Sequence, residues 1–322
     1  LDRSSAASDV YKRQAQRWQR IEAAAQELQR WLSDQLARGL GALDAEALKT
    51  WQTMAARMVD AQAPGLALRL REAAALVLQG EDWPEQTLAR LGLLQLVCDA
   101  VQRRSALPSA LQAELRIVLG WPYDKAEVLQ SAPHLHDRWT VLGVATQERD
   151  DKLIERRVWL HGEQSARRAW LLDHAFGGRG FESVWLVGTG VEASLAFFPG
   201  SSALRALLAE PAGRPGHPTW PTGTLAEEWQ RVAQRVAASP WVQWHPLVVP
   251  EAVLLPAADG LLLVADRQTL KLTAGEADTW TLLAFAGGKP VQLMGEWDGQ
   301  TLNPLSAWHA SAVGPVWHRS QT

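Results

Sequence analysis

Two histidines one residue apart, His134 and His136, with Asp137 next to them, come nearest to a metal cluster in this chain. That spacing can chelate one ion, but a third and a fourth ligand must come from elsewhere. The alternative is two exposed histidines at a junction, just after Pro133. Glu296 and Asp298, in GEWDG, place two carboxylates beside a tight turn. Strand alternation puts both on one face, as a general acid/base pair requires. The alternative gives Asp298 to the Asp-Gly turn and leaves Glu296 as a solvated flank. Arg156, Arg157, Arg167 and Arg168 fall on two neighbouring strand-like runs and offer a small anion patch, with Glu155, Glu163 and Asp173 close enough to neutralise it. On this reading no catalytic and no cofactor-binding residue is assigned, and His134 and His136 are the metal candidates.

Other signatures are missing or misplaced. Cys98 is the single cysteine, which excludes an internal disulfide and a multi-thiolate zinc site within this sequence. It lies in the apolar run LLQLVCDAV, where a thiol behaves as a small hydrophobe. Gly188-x-Gly190 precedes a strand-like run, not the helix that a dinucleotide pyrophosphate needs. Gly177, Gly178 and Gly180 read as a hairpin loop between strands. No GxxxxGK[ST] and no GxSxG occurs.

The charges are balanced. From Ala15 to Arg138 there are 14 Lys/Arg against 15 Asp/Glu, and from Trp139 onward 15 against 18. Neither part has the basic excess that a phosphate backbone demands, so direct nucleic-acid binding is disfavoured. Cysteine usage fits a reducing, cytoplasmic setting, and no apolar run approaches the ~20 residues of a membrane span. The 17 Trp outnumber 5 Phe and 2 Tyr, but they scatter from Trp18 to Trp317, as expected of core fillers and not of one aromatic face.

These residues hang on two kinds of element. The opening LDRSSAASDVYKRQ has no apolar periodicity and no initiator Met, and it resembles translated sequencing-adapter read-through. Residues 1–14 are therefore expected to be foreign and disordered, and the remainder to be a fragment. Residues 15–138 read as helices. Trp18, Ile21, Ala25, Leu28, Leu32 and Leu36 recur at helical spacing, followed by segments beginning near Asp44, Leu66, Pro84, Leu111 and Asp124. Residues 139–309 read as mostly antiparallel strands with helices near 202–210 and 225–238, a hairpin tip at Asp150-Asp151, and a second hairpin across Asp298-Gly299. Residues 310–322 are expected to fray. No repeat of solenoid or propeller period is visible. The fold class is α+β: a helical bundle followed by an antiparallel β region with two inserted helices.

Several segments, in this order, resemble bacterial SWIM zinc-finger proteins in the long region after their zinc motif. They are MAARMVDAQAPGLALRLRE, WPEQTLARL, LPSALQAELR, GWP, DRWTVLG, ERRVWLHG and FAGGKPVQLMGEWDGQTLNPLSAW. The resemblance runs from about Gln16 to Trp308. It implies structural zinc in the intact protein, held by C-x-C and C-x-H ligands, in a finger that contacts nucleic acid or protein. No residue here matches those ligands. It also implies MoxR-type ATPases and von Willebrand A-like proteins as partners. The expected function is that of a non-enzymatic binding or scaffold protein. The alternative is a hydrolase or nucleotide-dependent enzyme with an unrecognised site in the β region.

Overall fold

The structure, a computed structural model, describes residues 2–149, 153–258, 260–310 and 314–320, with side chains from Lys12 onward. It divides into two compact units, Leu1–Asp124 and Lys125–Thr322. The division falls earlier than the expected boundary after Arg138, because the first strand already starts at His134 and a short helix before it belongs to the second unit.

The first unit is helical: α1 (Asp2–Arg38), α2 (Ala45–Asp60), α3 (Pro64–Leu76), α4 (Trp83–Gln102) and α5 (Ser109–Val118). Helix α1 corrects the expectation of disorder over residues 1–14, since it is helical from Asp2. No Gly or Pro interrupts Asp2–Arg38, so nothing in the sequence stops the helix on its way to the N-terminus. Ile21, Ala25, Leu28 and Leu32 form its buried stripe, whereas Leu36 is left exposed. Asp44 caps α2, its carboxylate accepting from the Ala47 amide at 2.8 Å. Pro64 does not merely break the chain; it is the first residue of α3, where its missing N–H costs nothing. Helix α1 packs on α4, α2 on α3, and α3 on α4. Between α1 and α4, the Gln29 side-chain amide donates to Asp99 at 2.6 Å. Gly65 permits a close approach of two backbones: a Cβ there would lie 2.0 Å from the Val118 carbonyl oxygen.

The second unit starts with α6 (Lys125–Ser131) and five strands, β1 (His134–Glu148), β2 (Leu153–Gly162), β3 (Arg168–Phe176), β4 (Gly190–Phe197) and β5 (Arg205–Leu208). They close into a barrel of order β1-β2-β3-β5-β4, with β3 and β5 parallel and the other pairs antiparallel. Strand β1 is long enough to serve two neighbours, β4 along His134–Thr140 and β2 along Trp139–Glu148. The expected helix at 202–210 is instead β5. Barrel closure overrides its local helical look, because β5 supplies the pairing that β3 and β4 would otherwise lack. The glycine-bearing loop after β3 is therefore not a hairpin, since β3 and β4 are separated by β5. The expected hairpin tip at Asp150-Asp151 lies outside the described residues.

After α7 (Leu225–Ala238) the topology repeats. Strands β6 (His245–Ala257), β7 (Gly260–Ala265), β8 (Gln268–Leu272), β9 (Val291–Trp297) and β10 (Thr301–Trp308) surround α8 (Glu276–Ala286). Their order is β10-β8-β7-β6-β9, and a β9–β10 pairing closes the ring. Strand for strand this is the first barrel again, including a parallel third–fifth pair, β8 with β10. Strand β6 also repeats the behaviour of β1, pairing β9 along its first half and β7 along its second. Each of these long strands carries a bulge, at Leu142 in β1 and at Pro250-Glu251 in β6. The two barrels pack through a shared core that includes Leu142, Trp159, Met294, Leu305 and Trp308. Residues 310–322 do not simply fray: β11 (Trp317–His318) pairs with β10, and Trp317 is buried. Burying one indole repays the ordering of this short segment.

Candidate functional site

The histidine pair does not assemble a metal centre. His134 and His136 lie on one exposed face of β1, but each has a separate neighbour. His134 Nε2 is 2.8 Å from the Leu129 carbonyl oxygen; His136 Nδ1 is 3.1 Å from the Ser194 hydroxyl, and its Nε2 is 3.7 Å from Glu192. Asp137 turns to the opposite face, where it is buried and accepts from the amides of Arg138, Gln164 and Ser165. Burial alone would raise its carboxyl pKa, but these hydrogen bonds and one from the Ser165 side chain outweigh burial and lower it. Among the described residues no three His, Cys, Asp or Glu side chains gather as a metal site. Cys98 is fully buried, and burial reinforced by Asp99 pushes its thiol up to about 12, away from thiolate chemistry.

The carboxylates in GEWDG separate. Asp298 serves the turn, accepting from the Gln300 and Thr301 amides at 2.9 and 2.8 Å. Glu296 is not a solvated flank. It is 1% exposed and accepts from Arg157 Nε at 2.9 Å, Arg157 Nη2 at 3.2 Å, Trp159 Nε1 at 2.8 Å and Asn303 Nδ2 at 3.3 Å. The reason is barrel-on-barrel packing, which brings β2 against β9 and covers that face. The expected surface anion patch is corrected for three of its four arginines, each covered by its own neighbours, while Arg167 stays exposed. Arg156, Arg157 and Arg168 are all buried and paired: Arg156 with Asp173 and Ser183, Arg157 with Glu296 and Glu155, Arg168 with Glu228.

Two cavities of the second unit are lined by described residues. The larger, about 900 Å³, is lined by Trp220, Trp308, Glu251, Asp266 and Gln292 among others. The Trp220 and Trp308 rings stack there with centroids 4.0 Å apart. The smaller, about 440 Å³, lies where the loop between β4 and β5 and the start of β3 face α7. Arg167, Arg168, Arg231 and Arg235 line it with Ser201 and Ser202. Glu228, one turn before Arg231 on α7, bonds Arg168 at 2.9 Å and Arg231 at 2.8 Å. Burial, partly offset by Glu228, lowers Arg168 to about 10; Arg235 falls to about 10 for the same reason. His161, in contact with Arg168, is held neutral by burial and by the charges of Arg168 and Arg231, down to about 3. Sequence reasoning reached Arg167 and Arg168 but missed Arg231 and Arg235. Their signal was present as Glu228, Arg231 and Arg235 at helical spacing on the expected helix 225–238.

With this geometry in place, comparison with known proteins bears on the first unit. Residues 16–119 match the family model of the SWIM-associated four-helix bundle domain. The helical unit carries a SWIM-associated four-helix bundle domain. The matched span ends close to the boundary of the first compact unit and agrees with the resemblance to the C-terminal region of SWIM proteins. No match is found among curated proteins or among solved structures. Among the described residues no helix is long and apolar enough to cross a membrane, so the SWIM-associated bundle and the barrels after it hold no such span.

Proposed function

We propose that this chain is a non-enzymatic binding and scaffold protein of SWIM type, working in the cytoplasm, with the tandem barrels as its ligand-engaging part. The observation that carries this reading is the duplicated barrel. A first-second-third-fifth-fourth order with parallel third and fifth strands is that of the OB-type barrel, which presents the face of its second and third strands and the loop between its fourth and fifth strands to ligands. Two such barrels in series make an extended binding architecture. The fate of Glu296 supports the same reading, since a carboxylate held by three donor side chains and fully covered is a structural anchor.

Protein partners suit the exposed apolar side chains at the end of β3 and in the segment between β3 and β4. Phe176 ends β3; Val184 and Leu186 alternate with Trp185, which turns inward to the barrel core. Apolar exposure of this kind marks interaction surfaces. As the SWIM resemblance implies, the partners are a MoxR-type ATPase and a von Willebrand A-like protein, and any zinc belongs to ligands that this sequence does not contain. The test is isothermal titration of the purified chain with each of those two proteins from the same source. A saturable complex weakened by Val184→Asp and Leu186→Asp is the expected result. Absence of binding to both, or a turnover by the chain alone, overturns the proposal.

A further inference from the structure

We propose that the cavity between the β4–β5 loop and α7 binds the phosphate group of a small phosphorylated ligand. Four guanidinium groups, from Arg167, Arg168, Arg231 and Arg235, line one concavity, and no carboxylate is among its lining residues. Glu228 lies behind them and is already shared between Arg168, Arg231 and the Val248 amide. One carboxylate against four guanidiniums leaves an excess of positive charge that the fold does not neutralise. This stands out in a chain of formal net charge -3.

The donors are also incompletely used. Arg168 is 6% exposed, and its buried Nε–H has no acceptor among the described residues; the buried Nε–H of Arg235 likewise has none. A buried donor without a partner costs about 1–3 kcal/mol. His161 is kept neutral first by burial and then by the charges of Arg168 and Arg231 beside it. The cavity wall is strained as well. Ala166 and Ala203, both lining it, have φ of 52° and 45°, in the left-handed region that a residue with a Cβ seldom adopts. Such strain concentrates where a loop must hold a binding geometry.

A phosphate group fits better than a carboxylate because it carries nearly two charges at neutral pH and offers several acceptor oxygens to forked donors. A single shallow concavity of about 440 Å³, open to solvent, suits one phosphate with a small organic group. A nucleic-acid strand needs a charged track along its backbone. The place agrees with the barrel topology, since the β4–β5 loop and the start of β3 belong to the surface that OB-type barrels use.

The experiment is isothermal titration and thermal unfolding of the full chain with inorganic phosphate and a nucleoside 5′-monophosphate. The unphosphorylated nucleoside and a single-stranded oligothymidylate serve as comparisons. The two phosphate probes should bind and raise the unfolding midpoint, and the nucleoside should not. Arg231→Gln should weaken phosphate binding about tenfold or more, the loss of one charge-assisted hydrogen bond. Gln234→Arg, on the same rim, should tighten it. Both changes fall on side chains with solvent access, and the unliganded unfolding curve reads folding separately. The proposal is overturned if neither phosphate probe binds, or if affinity is the same in Arg231→Gln and Gln234→Arg. It is also overturned if only the oligothymidylate binds in an Arg231-dependent way, which would assign the cavity to a nucleic-acid strand.

Discussion

Arg157 and Glu296, 139 residues apart in sequence, form a bidentate ion pair between the two barrels, with side-chain exposures of 6% and 0%. Arg157 lies on β2 and Glu296 on β9. Burial pulls the arginine pKa down, but the charges and hydrogen bonds of Glu296 and Glu155 outweigh it, and the net shift is upward. Removing one partner leaves the other charged in a covered site, at a cost of about 3–5 kcal/mol. Glu296→Ala should therefore lower the urea midpoint of the second unit far more than Asp298→Ala, which loses only a turn. Replacing Arg157 and Glu296 together by Met and Leu should recover much of the loss, and a double-mutant cycle would measure the coupling.

Acid should weaken the second unit through two histidines. His161 is depressed to about 3, by burial and then by Arg168; His245 is depressed to about 4, by burial and then by Arg235. An unfolded histidine takes its proton near pH 6.5. Between there and the folded values the unfolded state binds more protons, so stability falls as pH falls, by about 1.4 kcal/mol per pH unit for each site. Unfolding free energies measured from pH 7 to pH 4 should show this slope, and His161→Gln or His245→Gln should flatten it. A profile unchanged by both substitutions would rule out this source.

Two glycines of the helical unit should respond oppositely to alanine. At Gly65 a Cβ would meet backbone atoms only, the Val118 oxygen at 2.0 Å, the Leu119 carbonyl carbon at 2.6 Å and the Gly120 nitrogen at 2.8 Å. Backbone cannot step aside as a side chain can, so Gly65→Ala should cost at least the ~1–3 kcal/mol of an overpacked core. At Gly92, within α4, nothing lies within 4 Å of the added Cβ. Gly92→Ala should gain roughly 0.5–1 kcal/mol from helix propensity. Helical circular dichroism followed through urea unfolding separates the two.

The C-terminal segment should contribute to stability. Trp317 is buried against the second barrel and donates its indole N–H to the Thr281 hydroxyl at 3.0 Å. Trp317→Ala should cost about 3–5 kcal/mol. Trp317→Phe keeps most of the apolar area and should cost less. Equal midpoints for Trp317→Ala and the parent would show that β11 is dispensable.

Much of the fold was legible because it rests on local periodicity. The stripe through Ile21, Ala25, Leu28 and Leu32 and the Asp44 cap define helices with little help from distant residues. The Asp298-Gly299 hairpin was equally local. The site was legible only in part. Arg167 and Arg168 stood out as a charged pair, but Arg231 and Arg235 lie more than sixty residues later on α7, and no local rule joins them to β3.

The amino-acid sequence alone determined the helical-then-β order, the α7 helix, the inert setting of Cys98 and the match to a SWIM-associated bundle. These follow from spacing, capping and composition within short stretches. Tertiary structure decided the rest. It turned residues 205–208 into a strand because β3 and β4 needed a partner, and it covered Glu296 by packing one barrel on the other. It also drew four arginines around one cavity. Strand pairing and burial depend on contacts between residues far apart in the chain, and a side chain's protonation and partners follow from that burial.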